Sequence, residues 1–189
     1  MKATRFFSVF FLMALVPVSA AETSLPADPD IQAKAALLVD ANTGNIVYAK
    51  NEHQELYPAS LTKIMTALLV LEAVDSGKLS LDQQLTASDS ITELDADGSS
   101  AGIKVGEVMT VEQLLYCMLV VSANEACVIL AEAVSGDVDT FVDAMNAKAQ
   151  ALGCENTHFV NPTGLHDSQH YTSAWDLYLI TQEAMKHED

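Results

Sequence analysis

Between residues 61 and 74 apolar side chains fall on nearly every face of a helical wheel. That is the pattern of a helix surrounded by protein rather than one lying on a surface. Pro58-Ala59-Ser60 opens the segment and Ser76-Gly77 ends it. Before it, the short apolar segments 35–40 and 46–50 flank Asn42-Thr43-Gly44-Asn45, a turn cluster that predicts a β-hairpin. After it, residues 85–107 are polar and irregular, with Glu93, Asp95 and Asp97 ahead of a Gly98-Ser99-Ser100 turn. Helical periodicity then returns. Thr110 with Gln113 forms a capping box that opens a helix through Val120. A second helix is expected over 124–134, and a third over 139–152 with Gly153 as its stop. Residues 161–171 read as a loop, and Ser173 with Asp176 starts a last helix. The expected order is two strands followed by helices. A lone hairpin is marginally stable and leaves an open edge, so the sheet reads as unfinished.

The first 21 residues stand apart from this pattern. Lys2 and Arg5 precede an apolar run at 6–16, Pro17 breaks it, and Val18-Ser19-Ala20-Ala21 offers small residues for cleavage. This is the layout of a secretory signal peptide, too short to span a bilayer. Residues 22–33, with Pro26 and Pro29, read as a leader, and 34–189 as an incomplete folded domain. The protein is thus expected to be exported and to work outside the cytoplasm. No later stretch approaches the roughly 18 apolar residues of a membrane helix.

Charge excludes some partners. The 189 residues carry 9 Lys and Arg against 26 Asp and Glu, a net charge of −17. Without residues 1–21, 7 basic residues face the same 26 acids. Phosphate neutralisation needs clustered Lys and Arg, so a nucleic-acid partner is not expected. Half the residues are hydrophobic, which is the balance of a folded domain. Cys117, Cys127 and Cys154 are odd in number and lack Cys-x-x-Cys spacing, so neither a disulfide framework nor a metal site is read from them. His166 and His170 sit four apart in a loop without the Glu of a zincin helix, and no metal or cofactor is assigned. His166-Asp167 lacks the Gly-x-Ser-x-Gly elbow of a hydrolase triad. Residues 93–97 read as a solvated acidic loop, and Trp175 as packing.

Ser60-Leu61-Thr62-Lys63 places a hydroxyl and an amine three residues apart at a helix start, on one face. A serine hydroxyl is a weak nucleophile until a base takes its proton, and a lysine desolvated by burial can be that base. The helix N-terminus also offers the Ser60 N–H to a developing oxyanion. Ser122-Ala123-Asn124 joins two helices 62 residues later and supplies a second hydroxyl and an amide. Each pair has a plainer reading as a helix cap.

Taken in order, these segments resemble a known family. Pro-Ala-Ser60-Leu-Thr-Lys63 with Ile-Met-Thr-Ala, then Leu114-Leu115-Tyr116 through Met118-Leu119-Val120-Val121 into Ser122-Ala-Asn124-Glu125-Ala, are similar to the serine D-Ala-D-Ala carboxypeptidases, the low-molecular-weight penicillin-binding proteins. Asn161-Pro-Thr-Gly-Leu165 and His170-Tyr171-Thr172-Ser173-Ala174 extend the resemblance, which runs from about Lys34 to the end. It implies an α+β fold of the serine β-lactamase/DD-peptidase type, an antiparallel sheet flanked by helices plus a helical subdomain. Only the first hairpin and that subdomain are expected here, with the later strands missing.

The resemblance also implies roles. Ser60 would be the nucleophile that carries the acyl-ester, Lys63 the general base, Ser122 the proton relay and Asn124 a substrate-binding residue. The substrate would be peptidoglycan stem peptides ending in D-Ala-D-Ala, and β-lactams would acylate the same serine. Two departures stand out. Glu125 replaces the Asp that many members carry, and no Lys is followed by Thr-Gly or Ser-Gly. The family's Lys-Thr-Gly strand binds the substrate carboxylate, so these 189 residues alone are expected to be inactive or nearly so. Any membrane anchor is expected only in a missing C-terminal part. A class A-like β-lactamase and a truncated, non-catalytic peptidoglycan-binding module are the competing readings. The first would need a water-activating Glu-x-x-Leu-Asn stretch, which is absent between Ser122 and residue 189.

Overall fold

The uniformly apolar segment becomes α1 (Lys63–Asp75), and two hydrophobic clusters meet on it. In a computed structural model, which describes residues 30–94 and 98–187, the expected signal peptide lies outside the described residues, as do Asp95 and Asp97 of the acidic loop. Contacts divide the chain after Asp30, and the unit beginning at Ile31 contains every element below.

On one side of α1, Ala67, Val70 and Ala73 join Val111, Leu114, Met118 and Leu130, from α2 (Val111–Val120) and α3 (Asn124–Ser135). On the other side Met65, Leu68 and Leu69 join Phe141 and Met145 of α4 (Val138–Ala151), Phe159, and Ile180 of α5 (Ala174–Ala184). A helix feeding two cores leaves little room for polar residues, which accounts for its sequence pattern. Lys63 and Thr66 are its buried polar residues, and with the buried Thr62 just before it they belong to the site. Lys148 of α4 ties the helices from outside, pairing with Glu72 of α1 and Glu183 of α5.

The hairpin forms where expected. β1 (Ala36–Val39) pairs antiparallel with β2 (Ile46–Lys50), with Leu37 opposite Ala49 and an irregularity between Leu38 and Val39. Asp40 Oδ1 accepts from the N–H groups of Asn42 and Thr43 at 2.9 and 3.0 Å, and this Asx geometry turns the chain. The capping box at α2 is present in both directions: Thr110 Oγ1 accepts from the Gln113 N–H, and Gln113 Oε1 from the Thr110 N–H. Ser173 caps α5 by accepting from the Asp176 N–H at 3.1 Å.

Two expectations change. A second ribbon forms from β3 (Gln84–Thr86) and β4 (Val108–Thr110), each in or beside the stretch expected to be irregular. Three-residue strands carry too few alternations to register as a period-2 signal. The segment before α1 is a 3₁₀ turn, Ala59–Thr62, so Ser60 sits just ahead of the α-helix rather than inside it.

Candidate active site

The 3₁₀ turn holds Ser60 in solvent while Lys63, three residues on, is only 3% exposed. The α2–α3 connection brings the second pair: Ser122 lies at its bend with φ +62°, and Asn124 starts α3. A non-glycine residue in the left-handed region carries backbone strain, and here it lies beside candidate chemistry. Ala59, at φ +49°, is strained on the other side of the same site.

Polar contacts join all four residues. Lys63 Nζ lies 3.3 Å from Ser60 Oγ, and donates to Asn124 Oδ1 at 2.9 Å and to the Thr163 carbonyl at 2.7 Å. Ser122 Oγ donates to Ser60 Oγ at 2.9 Å. Neither cap reading holds. The N-cap of α3 is Ala123, without a side-chain bond, and α1 has no side-chain cap.

The geometry specifies what a neutral Lys63 amine would do. Two of its contacts are carbonyl oxygens that can only accept, so both N–H bonds are committed to them. The lone pair is then left for the third contact, Ser60 Oγ. Burial pushes the Lys63 pKa below the usual lysine range, favouring that neutral form. Cys127 and Glu125 oppose the shift. Burial also drives the Cys127 thiol up to about 12, so it stays uncharged and Glu125 is the anion that counts.

The loop containing Thr163 is built to present that carbonyl. Asn161 Oδ1 accepts from the Thr163 N–H, the Thr163 hydroxyl and the Gly164 N–H, while Asn161 Nδ2 donates to the Leu165 carbonyl. Thr66 Oγ1 donates to the Pro162 carbonyl at 2.7 Å and docks the loop onto α1. Gly164, at φ +84°, presses against the strained turn, and a Cβ there would stand 1.8 Å from the Ala59 carbonyl oxygen.

His170 anchors the turn from below. Its Nδ1 accepts from the Val160 N–H at 3.2 Å, which leaves the proton on Nε2, 2.8 Å from Thr62 Oγ1. Burial, at 1% exposure, brings its pKa down to about 4, with Asp167 pulling up and His158 pushing down. In the unfolded chain the imidazole titrates near 6.5 and so binds its proton first. The stability from the neutral, bonded ring is complete above about pH 6.5 and is lost as pH falls toward 4, by on the order of 3 kcal/mol. Urea midpoints should fall over that window, and His170→Gln should flatten the dependence. His166 packs edge-on against Tyr57, and Trp175 against His53 and Tyr178.

Sequence reasoning did not find the Thr163 carbonyl, the Thr62–His170 bond or the bonding of Glu125 described below. Backbone acceptors leave no residue signature, although the Asn161-Pro-Thr-Gly stretch marked the loop that supplies one.

Known proteins match this chain. The family described as D-alanyl-D-alanine carboxypeptidase covers residues 21–189. The D-alanyl-D-alanine carboxypeptidase DacF of Bacillus subtilis is 42% identical over 157 residues, 83% of this chain and 40% of its own length. DacA of Haemophilus influenzae is 37% identical, over 93% of this chain and 45% of its own. The chain therefore spans less than half the length of these two relatives. Among solved structures, penicillin binding protein 5 from Haemophilus influenzae superposes with a TM-score of 0.80 at 37% identity, over 85% of this chain and 47% of that one. DacD from Francisella tularensis gives 0.81 at 39% identity, over 85% and 38%. The fold is thus that of the DD-peptidases and penicillin-binding proteins, as the motifs implied, and the chain belongs to the D-alanyl-D-alanine carboxypeptidase family.

Proposed function

We propose that this chain carries the nucleophile half of a serine D-Ala-D-Ala carboxypeptidase. Ser60 Oγ attacks the carbonyl between the two terminal D-alanines of a peptidoglycan stem peptide. Lys63 takes the hydroxyl proton, Ser122 passes a proton to the departing D-alanine amine, and water hydrolyses the resulting ester. Asn124 has two tasks: its Oδ1 orients Lys63, and its Nδ2 is left to donate to a substrate carbonyl. Penicillins acylate the same oxygen. The protein acts outside the cytoplasm, after residues 1–21 direct its export.

The observation that carries this reading is the Lys63 amine, held by two carbonyl oxygens with its remaining contact on Ser60 Oγ. The Ser122 hydroxyl on the same oxygen supports the relay. In the resembled family the Lys-Thr-Gly strand supplies a carboxylate clamp and, just after it, a second oxyanion donor, and no Lys-Thr-Gly occurs in this sequence. Loss of one such donor costs about 10²–10³ in rate, and turnover by the 189 residues alone should be weak.

The test is D-alanine release from a blocked peptide ending in D-Ala-D-Ala, run beside penicillin hydrolysis. Slow release that Ser60→Ala abolishes supports the proposal. Rapid penicillin hydrolysis with the peptide untouched would favour a β-lactamase instead.

A further inference from the structure

Glu125 follows Asn124 on the first turn of α3 and is 5% exposed, yet no lysine or arginine pairs with it among the described residues. A carboxylate buried without a cation is stable only if hydrogen bonds replace its lost hydration. Here a single oxygen, Oε1, takes four. The Ser100 hydroxyl donates at 2.7 Å, and the N–H groups of Ala101, Gly102 and Ile103 at 2.7, 2.9 and 3.2 Å. Consecutive N–H groups converge in this way when the backbone curls into a nest, and Gly102 at φ +77° provides the curl. Burial alone would raise the carboxyl pKa, but the Ser100 hydroxyl and the backbone donors outweigh it and hold the group below the usual glutamate range.

The same turn of α3 is tied to the segment from the other direction, since the Asn124 N–H donates to the Ser99 carbonyl at 2.9 Å. Residues 99–103 and the start of α3 are therefore clipped together at two points. Asn124 forms one of these clips through its own N–H and adjoins the other, and its Oδ1 takes one proton of Lys63. Proximity to the helix N-terminus favours an acid here but does not call for four donors from a distant segment.

We propose that Glu125 is a positioning residue: its buried carboxylate gathers residues 100–103 onto the first turn of α3 and so holds the Asn124 amide oxygen on the Lys63 amine. This rests on the reading of Lys63 as the base that serves Ser60. The titratable groups acting on Lys63 are Glu125 and the neutral Cys127, both on α3. The half-buried Cys117 thiol on α2 also senses Glu125 and is raised mainly by burial.

The test compares the parent chain with Glu125→Gln, which keeps the shape and removes the charge. Amide exchange at Ala101, Gly102 and Ile103 should quicken about tenfold or more, with α4 amides unchanged, because a charged acceptor makes the stronger bonds. The Lys63 ε-amine, titrated by NMR, should show a lower pKa, and it should fall in Ser100→Ala as well, where the Glu125 charge is kept and only the hold on residues 100–103 and Asn124 is loosened. If either the exchange or the Lys63 titration stays at the parent value, the proposal is overturned, because Glu125 would then be only a loop anchor or only a nearby charge. Should Glu125→Gln not fold, Ser100→Ala removes one donor and keeps the charge. Its Ala101 and Ile103 amides, which bond Glu125 and not Ser100, should exchange several-fold faster, and parent-like exchange would overturn the proposal. None of these readouts involves acylation or peptide cleavage, so failure of the proposed chemistry leaves them interpretable.

Discussion

Replacing Lys63 by Met should slow penicillin acylation of Ser60 by about 10²–10⁴, the range over which a positioned general base acts. The expectation follows from how the amine is held. Two carbonyl oxygens take its protons and leave its lone pair for Ser60 Oγ, while burial lowers the pKa that would keep it charged. Lys63→Arg separates charge from basicity, because a guanidinium does not deprotonate in a protein. It should lose as much as Lys63→Met. The acid limb of the parent's acylation rate should lie below the usual lysine range and be absent in both variants. Rates follow from the mass of the intact protein sampled over time. Acylation by Lys63→Met at the parent rate would remove the lysine from the chemistry.

The second large effect concerns Gly164. A Cβ at this position would lie 1.8 Å from the Ala59 carbonyl oxygen, 2.4 Å from its carbon and 3.0 Å from Thr62 Oγ1. Two backbone segments meet here, so the conflict cannot be relieved by turning a flexible side chain. Gly164→Ala should therefore destabilise the protein by about 4 kcal/mol or more, in the range reserved for a backbone conflict or a lost core contact. Gly153→Ala is the control. Gly153 also has positive φ, +82°, but open space around it, so its replacement should cost only the left-handed penalty of about 1–2 kcal/mol. Urea unfolding of both variants gives the difference. Equal losses would mean that conformation alone, and not the close approach to the Ser60 turn, makes Gly164 necessary.

Much of this was legible in the chain, for identifiable reasons. Helix caps are local: Thr110 with Gln113 and Ser173 with Asp176 specify their own geometry within four residues, and both form. The apolar sweep of 61–74 revealed a largely buried helix because α1 feeds two hydrophobic clusters. Ser60, Lys63, Ser122 and Asn124 were singled out by residue type and spacing, and the fold brings them within hydrogen-bonding distance. Other features were illegible because they depend on distant pairing. The strand at 84–86 exists only because 108–110 lies beside it. The Thr163 carbonyl could be any backbone oxygen until the Asn161 turn aims it at Lys63. Glu125 read as a mild exchange for Asp, and its burial under four donors shows only once residues 100–103 are folded over it. Ser60 lies in a 3₁₀ turn entered through Ala59 at positive φ, a conformation that no propensity of Pro-Ala-Ser announces.

The central claim is that Ser60 is a nucleophile made ready by its neighbours. Prolonged exposure of the chain to excess penicillin, followed by mass measurement and peptide mapping, tests it most directly. The account predicts slow addition of one penicillin mass, located on the peptide containing Ser60 and absent from Ser60→Ala. An adduct that survives in Ser60→Ala, or no adduct on the parent chain at all, would contradict it.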